Sequence, residues 1–311
     1  MAHYYNSILE TIGHTPLVKL NRVEKVLGLE ANLFAKVDFF NPAGSIKDRI
    51  ALNMIEEAEK SGELKPGDTI IEGTSGNTGI GLSLVGAAKG YKVQICMPEN
   101  MSIERIKIMK AYGAEVFLTP KELNMAGGGA KAAELIAATP NSYSPSQGKN
   151  PNNPGAHYKT TGPEIWNDLD GKIDILVAAT GTGGTISGVG HFLREKNPNI
   201  EIIAVEPAGA PILNGGEPGP HKIQGIGGGA TPATTDVSLF NEVIDITDEE
   251  AYEGARLAPR TEGIFIGISA GAALQAAIKV AKRKENKGKN IVVIFPDGGD
   301  HYLSTEGLFE V

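Results

Sequence analysis

The feature that most restricts how this chain can fold is an alternation. Short apolar runs of strand length lead through polar or glycine-rich connections into helical runs, and the cycle repeats along most of the sequence. Strands are expected at Thr69–Glu72, Tyr91–Met97, Glu115–Leu118, near Tyr143, and at Ile173–Ala179, Glu201–Val205, Glu242–Ile246, Ile264–Ile268 and Ile291–Phe295. Between them fall helices ending near Ser61-Gly62, at Lys89 before the capping Gly90, at Tyr112 before Gly113, near Ala138, and at Lys196. One more is opened by the Thr247/Glu250 capping box and another runs from Ser269 to about Lys284. Such a pattern implies parallel strands with crossover helices, an α/β fold of mostly parallel, twisted sheets flanked by helices. At 311 residues there is length for two domains with real cores. Residues 144–156, rich in proline, asparagine and glycine, are a natural crossing between them.

Charge and composition narrow the function classes. A net charge of −8, with basic residues concentrated only between Lys279 and Lys289, argues against nucleic acid as the main partner. No stretch has the length of a membrane span and the N-terminus lacks a signal-peptide pattern, so a cytoplasmic protein is expected. The single cysteine, Cys96, lies in an apolar run and reads as a small buried hydrophobe. The six histidines show no metal spacing, and neither a zinc site nor a hydrolytic triad is suggested.

Chemistry is concentrated where strands hand over to helices, the place where open α/β sheets bind ligands. In Asn41–Arg49, Ser45 and Asp48 have capping-box spacing, and Ile46, Ile50, Met54, Ile55 and Ala58 follow with helical period. Lys47 then falls in the first turn, where the helix dipole disfavours an ammonium and lowers its pKa, as a Schiff-base lysine requires. A solvated lysine on an amphipathic helix is the plain alternative. Gly181-Thr182-Gly183-Gly184-Thr185 offers backbone N–H groups, two hydroxyls and a helix start to a phosphate, without any lysine or arginine. A dinucleotide fingerprint fails there, because its third glycine would fall on Ile186; a purely structural tight turn is the other alternative. Thr74-Ser75-Gly76-Asn77-Thr78 is a run of donors suited to a carboxylate, or else an over-specified N-cap. Ser269 is either an ordinary N-cap or a hydroxyl facing a ring nitrogen. The glycine- and proline-rich stretch 207–235 is too long to be an idle loop. A lysine nucleophile, a phosphate cradle and a carboxylate loop together point to pyridoxal phosphate acting on an amino acid.

The motifs also carry a resemblance. Asn41-Pro42-x-x-Ser45-Ile46-Lys47-Asp48-Arg49, Thr74-Ser75-Gly76-Asn77-Thr78-Gly79, Thr160-Thr161-Gly162-Pro163-Glu164-Ile165, Gly181–Thr185, Pro218–Gly227 and Gly267-Ile268-Ser269 stand in the order of the cysteine synthase (O-acetylserine sulfhydrylase) family of fold-type II pyridoxal-phosphate enzymes. The resemblance extends from Ile12–Leu17 to Tyr302-Leu303-Ser304. It implies that Lys47 forms the Schiff base and moves the Cα proton, that Asn77 bonds the ring hydroxyl, that Gly181, Thr182, Gly183, Gly184 and Thr185 hold the phosphate, and that Ser269 faces the pyridine nitrogen. Thr74, Ser75, Gly76, Thr78, Gln147 and Gly225 would meet the substrate. The implied reaction converts O-acetyl-L-serine and sulfide to L-cysteine and acetate through an α-aminoacrylate.

The same resemblance implies a smaller mobile domain of residues 1–15 and 41–147, and a larger cofactor domain of residues 16–40 and 148–311. It also implies a homodimer and the C-terminal tail of serine acetyltransferase as a partner. Two departures bear on the substrate: Gly148 stands where the family has an aromatic residue, and Ala230-Thr231 where it has a bulky pair. They favour a larger nucleophile or a different leaving group, as in cystathionine or lanthionine formation, O-phosphoserine use, or release of hydrogen sulfide from cysteine. An inactive relative that binds a partner peptide is the non-enzymatic alternative.

Overall fold

The computed structural model describes residues 4–310 and contains two sheets. The segment before Asn41 forms β1 (Leu17–Lys19), α1 (Asn21–Leu27) and β2 (Asn32–Val37). Then follow α2 (Lys47–Ser61), β3 (Thr69–Gly73), α3 (Asn77–Lys89), β4 (Lys92–Pro98), α4 (Ile103–Ala111), β5 (Glu115–Thr119), α5 (Asn124–Ala138) and β6 (Ser142–Tyr143). The second half runs α6 (Asn152–Lys159), α7 (Thr161–Asp168), β7 (Ile175–Ala179), α8 (Gly184–Lys196), β8 (Glu201–Pro207) and β9 (Glu242–Ile246). It closes with α9 (Asp248–Glu262), α10 (Ile268–Ala281) and β10 (Asn290–Phe295).

Strands β5-β4-β3-β6 make a four-stranded parallel sheet, and β1-β2-β10-β7-β8-β9 a six-stranded one in which only β1 runs antiparallel. The central strands are unbroken apolar runs because helices cover both faces. Ile175, Val177, Val205, Ile291 and Val293 join a core with α1, α9 and α10, while Leu176, Ile202, Val292 and Ile294 join one with α7 and α8. In the smaller sheet Ile70, Ile95 and Met97 pack with α2, α3 and α4, and on the other face Ile71 and Cys96 meet Ala132 of α5. Cys96 is fully buried, and burial pushes its thiol up to about 11, so it is an inert core residue.

Helix α2 serves both halves. Ala51, Ile55 and Ala58 enter the core of the four-stranded sheet, and Ile50 and Met54 pack on Ala156 of α6. Its start is strapped to the other sheet, because Ile46 N donates to Pro296 O at 2.7 Å and Ser45 bridges Asp297 just beyond β10.

The structure corrects several expectations. Ile264–Ile268 is not a strand: β10 is already paired on both sides, so this segment makes one bridge, Ile266 to Gly298, and α10 begins at Ile268. Helix α10 stops at Ala281 rather than near Lys284, and a short 3₁₀ turn occupies Lys284–Asn286. The crossing is shorter than 144–156, since α6 starts at Asn152, with Pro154 in the first turn, where a missing N–H costs nothing. The Ser45/Asp48 capping box does not form: Ser45 Oγ accepts from Lys47 N at 3.2 Å, but Asp48 Oδ2 accepts from Ala43 N at 2.7 Å. The Thr247/Glu250 box does form. Among the described residues no helix is long and apolar enough to cross a membrane.

Candidate active site

A cavity of about 910 Å³ opens at the carboxyl ends of both sheets, bounded by the starts of α2, α3, α8 and α10 and by residues 218–230 of the long loop. Lys47, Thr74, Ser75, Asn77, Thr78, Gln147, Gly181, Thr182, Thr185, Gly225 and Ser269 all border it. Gly76, Gly183 and Gly184 do not line it; they pack behind the loops. A Cβ at Gly76 would come within 2.4 Å of Arg105 Cδ, at Gly183 within 1.9 Å of Thr235 Oγ1, and at Gly184 within 1.9 Å of Asn153 Oδ1. Gly148 and Ala230 border the cavity too.

Lys47 is the first residue of α2, and its Nζ has no hydrogen-bond or ion-pair partner among the described residues. Burial pushes the amine below its ordinary range, and the carboxylates of Asp297 and Asp38 offset part of that. The direction agrees with the sequence reading; the leading cause is burial rather than the helix dipole. Beneath it, burial raises Asp48 to about 7. Arg49 is clamped by Asp38 at 2.9 Å and by Glu164 at 2.7 Å on two nitrogens, with Thr15 and Thr160 hydroxyls alongside. Burial would raise Glu164, yet its bonds to Arg49, with Lys36 at 2.9 Å, bring it down to about 2. Arg49, two residues after the lysine, therefore anchors α2 to the turn after β2 and to α7.

At the start of α3, Thr78 Oγ1 donates to Gln147 Oε1 at 2.6 Å and Gln147 Nε2 lies 3.4 Å from Thr74 Oγ1, so the glutamine is tied into the donor loop. Glu72 holds that glutamine's segment by accepting from Ser146 N and Gln147 N. The Ser75 hydroxyl has no protein partner among the described residues. Asn77 Nδ2 donates to Asp297 Oδ2 at 2.6 Å, Asn77 Oδ1 lies 3.1 Å from His301 Nδ1, and the same amide also acts on the Tyr302 hydroxyl. Ser269 is not the N-cap of α10: Gly267 is, without a side-chain bond, and the Ser269 hydroxyl also lacks a partner among the described residues.

Sequence reasoning missed Asp297, Arg105, Tyr302 and His301. Tyr302 OH donates to Asp297 Oδ2, and Arg105 stacks on the Tyr302 ring with its carbon 4.6 Å from the centroid. Arg105 also donates to Ser75 O at 2.8 Å and to Gln224 Oε1 at 2.5 Å, and no acid is paired with it among the described residues. Asp297-Gly298-Gly299 follows β10 after a single proline, Pro296, so the strand-end rule applied to the other junctions would have found the aspartate.

An unpaired lysine amine, a lysine- and arginine-free cradle of glycine N–H groups and threonine hydroxyls, an asparagine amide on the cavity wall and a serine hydroxyl without a partner among the described residues fit pyridoxal phosphate, which presents an aldehyde, a phosphate, a ring hydroxyl and a pyridine nitrogen. Comparison with known proteins agrees. The family model "Pyridoxal-phosphate dependent enzyme" matches residues 8–297. A cysteine synthase of Staphylococcus aureus is 50% identical over 301 residues, covering 96% of each chain. The crystal structure of cysteine synthase from Entamoeba histolytica superposes with a TM-score of 0.95 at 45% identity, over 99% of this chain and 92% of that one. A hydrogen sulfide-producing enzyme from Fusobacterium nucleatum gives 0.93 at 47% identity, over 96% and 100%. The chain belongs to the pyridoxal-phosphate-dependent enzyme family, in the group that includes the cysteine synthases.

Proposed function

We propose that this enzyme carries out β-replacement on O-acetyl-L-serine, exchanging acetate for sulfide to give L-cysteine. The observation that carries the reading is one cavity holding both an unpaired lysine amine and two donor-rich loops of different kinds. The cofactor, when bound, supplies an electron sink for the carbanion at Cα. Thr74, Ser75, Thr78 and Gln147 bind the α-carboxylate and turn the Cα–H bond toward Lys47. Lys47 Nζ, whose pKa burial lowers, takes the Cα proton. Gly181–Thr185 hold the phosphate by neutral donors. Ser269 offers the pyridine nitrogen a neutral hydroxyl, which cannot protonate the ring as a carboxylic acid would. That choice weakens the sink and favours rapid elimination.

The smaller domain, residues 1–15 and 41–147, closes over the substrate against the larger domain, 16–40 and 148–311, and excludes water from the reacting carbon. The placement of the Thr74–Thr78 loop after β3 of the four-stranded sheet and of the Gly181–Thr185 cradle after β7 of the six-stranded one supports that division. The family resemblance supports a homodimer, a cytoplasmic setting and docking of the serine acetyltransferase C-terminal tail in the same cavity.

A second reading rests on Gly148. A Cβ there meets nothing nearer than Pro232 Cβ at 3.8 Å, so the wall beside Gln147 is open and suits a nucleophile larger than sulfide. The F. nucleatum relative, described as hydrogen sulfide-producing, supports the same direction. The test is to add O-acetylserine, serine, O-phosphoserine and cysteine in turn to the yellow holoenzyme and follow the visible spectrum and products. Lys47→Ala should lose turnover by roughly 10²–10⁴-fold or more and lose the borohydride-sensitive absorbance. A wild-type protein that takes up no pyridoxal phosphate would sink the proposal. Gly148→Phe should depress use of large thiols more than use of sulfide; an unchanged acceptor ratio removes the second reading.

A further inference from the structure

Helix α6 borders the cradle from behind and carries two polar side chains at positions where a core would ordinarily be apolar. Asn153 and His157, four residues apart on one face, are each 1% exposed. Each meets one threonine of the cradle: Asn153 Nδ2 lies 3.0 Å from Thr182 Oγ1, and His157 Nε2 lies 3.2 Å from Thr185 Oγ1. Helix α8 is cut away to admit them. A Cβ at Gly184 would stand 1.9 Å from Asn153 Oδ1, and one at Gly188 would stand 2.1 Å from Pro154 O and 2.8 Å from His157 Cβ.

The hydrogens of this pair can be assigned. Asn153 Nδ2 also lies 2.8 Å from Gln147 O, a carbonyl that can only accept, so the amide nitrogen is the atom facing both partners. His157 Nδ1 is 2.9 Å from Thr161 Oγ1. Burial, then the charges of Arg49 and Lys47, push the imidazole well below its ordinary range against the pull of Glu164, so the ring is neutral and carries one N–H. A phosphate dianion can only accept. For Thr185 to give its single hydrogen to phosphate, its oxygen must be free to accept from His157 Nε2–H, and Nδ1 must then take the hydrogen of Thr161.

We infer that Asn153 and His157 are positioning residues that aim the hydroxyl hydrogens of Thr182 and Thr185 at the cofactor phosphate, each by donating an N–H to its threonine oxygen. In a cradle with no lysine or arginine, correctly turned hydroxyls carry a large share of the anion binding. The arrangement also gives a role to Thr161 in the Thr160–Ile165 motif, whose hydroxyl sets the tautomer. The inference rests on reading residues 181–185 as the phosphate cradle.

The test uses the holoenzyme labelled with ¹⁵N-histidine together with two variants. The ¹⁵N spectrum should show His157 as the neutral Nε2–H tautomer; an Nδ1–H tautomer or an imidazolium overturns the inference without any mutation. His157→Gln can place an amide N–H near the Nε2 position, whereas His157→Asn reaches only the Nδ1 position. With apoprotein titrated by pyridoxal phosphate, the Asn variant should bind about ten-fold or more weakly, the scale of one hydrogen bond to a charged group, and the Gln variant within about three-fold of wild type. Equal losses in both would reduce His157 to a packing residue. If the wild-type apoprotein bound no pyridoxal phosphate, the cradle reading would fall and this inference with it, an outcome distinct from equal losses.

Discussion

At the start of α8 the loop is braced from behind, whereas at the start of α3 it is held from the sides. Behind the cradle, Thr182 O accepts from Thr234 Oγ1 at 2.6 Å and Thr235 Oγ1 at 3.1 Å, and both cradle threonines meet buried side chains of α6. All of these contacts come from neighbours of the six-stranded sheet. The Thr74–Thr78 loop is held by Gln147, by Arg105 through Ser75 O, and by Asp297 through Asn77, and Arg105 and Asn77 reach across to the other half at Gln224 and Asp297. It also keeps unspent capacity: the Ser75 hydroxyl has no partner among the described residues, and Arg105 Nε is buried without one. A site for a resident group can be saturated with structural contacts. A site for a group that comes and goes must keep donors in reserve and accept bonds that break when the halves part.

That contrast can be attacked from either side. The largest effect should come from filling the cradle: Gly183→Ala forces a side chain into a left-handed backbone (φ 74°) and onto Thr235. It should cost about 1–3 kcal/mol of stability, and holoenzyme should lose cofactor on dialysis. Retained colour with an unchanged melting temperature would contradict the braced picture. Next, Gln147→Ala removes a partner of the substrate loop and nothing from the cradle. It should raise KM for the amino acid roughly ten-fold or more while leaving cofactor affinity within about two-fold. Weakened cofactor binding there would mean that the two loops are not separable.

A separate test concerns Asp48, beside Lys47 in the first turn of α2. Its pKa is raised from 3.8 to about 7 by burial, so between those values the native state holds a proton that the unfolded chain has released. Stability from this group is therefore lost as pH rises through that window. Asp48→Asn should flatten the fall in melting temperature between about pH 4 and pH 7, with the profile at lower pH unchanged. An Asp48→Asn profile with the same slope as wild type through that range would refute the assignment.

What could be read in advance follows from where the information lies. The apolar runs of β3, β4, β7, β8, β9 and β10 and the Gly62 and Gly90 caps are local signals, and they fixed those elements to within a few residues. The three-residue β1 and the two short helices around Thr160 are held by tertiary contacts, so their sequences carry little period. Ile264–Ile268 has strand composition, but the neighbouring β10 offers it no free edge, a fact visible only once β10 is seated between β2 and β7. Lys47, the 74–78 loop and the 181–185 loop were legible because each is contiguous. Arg105 and His157 were not, because each acts on a residue at least 28 positions away in the chain and its own neighbourhood looks like an ordinary helix, whereas Asp297 carried the strand-end signal and was passed over.

The strap at the start of α2 has a mechanical meaning. The reactive amine belongs by chain to the helix that packs against α3, but the backbone beside it is pinned to Pro296 and Asp297 at the end of β10. Lys47 is therefore tied by its backbone to the six-stranded sheet that carries the cradle, although its helix packs in the core of the four-stranded sheet. The amine is thereby referenced to the same frame as the 181–185 loop rather than to the sheet its helix covers.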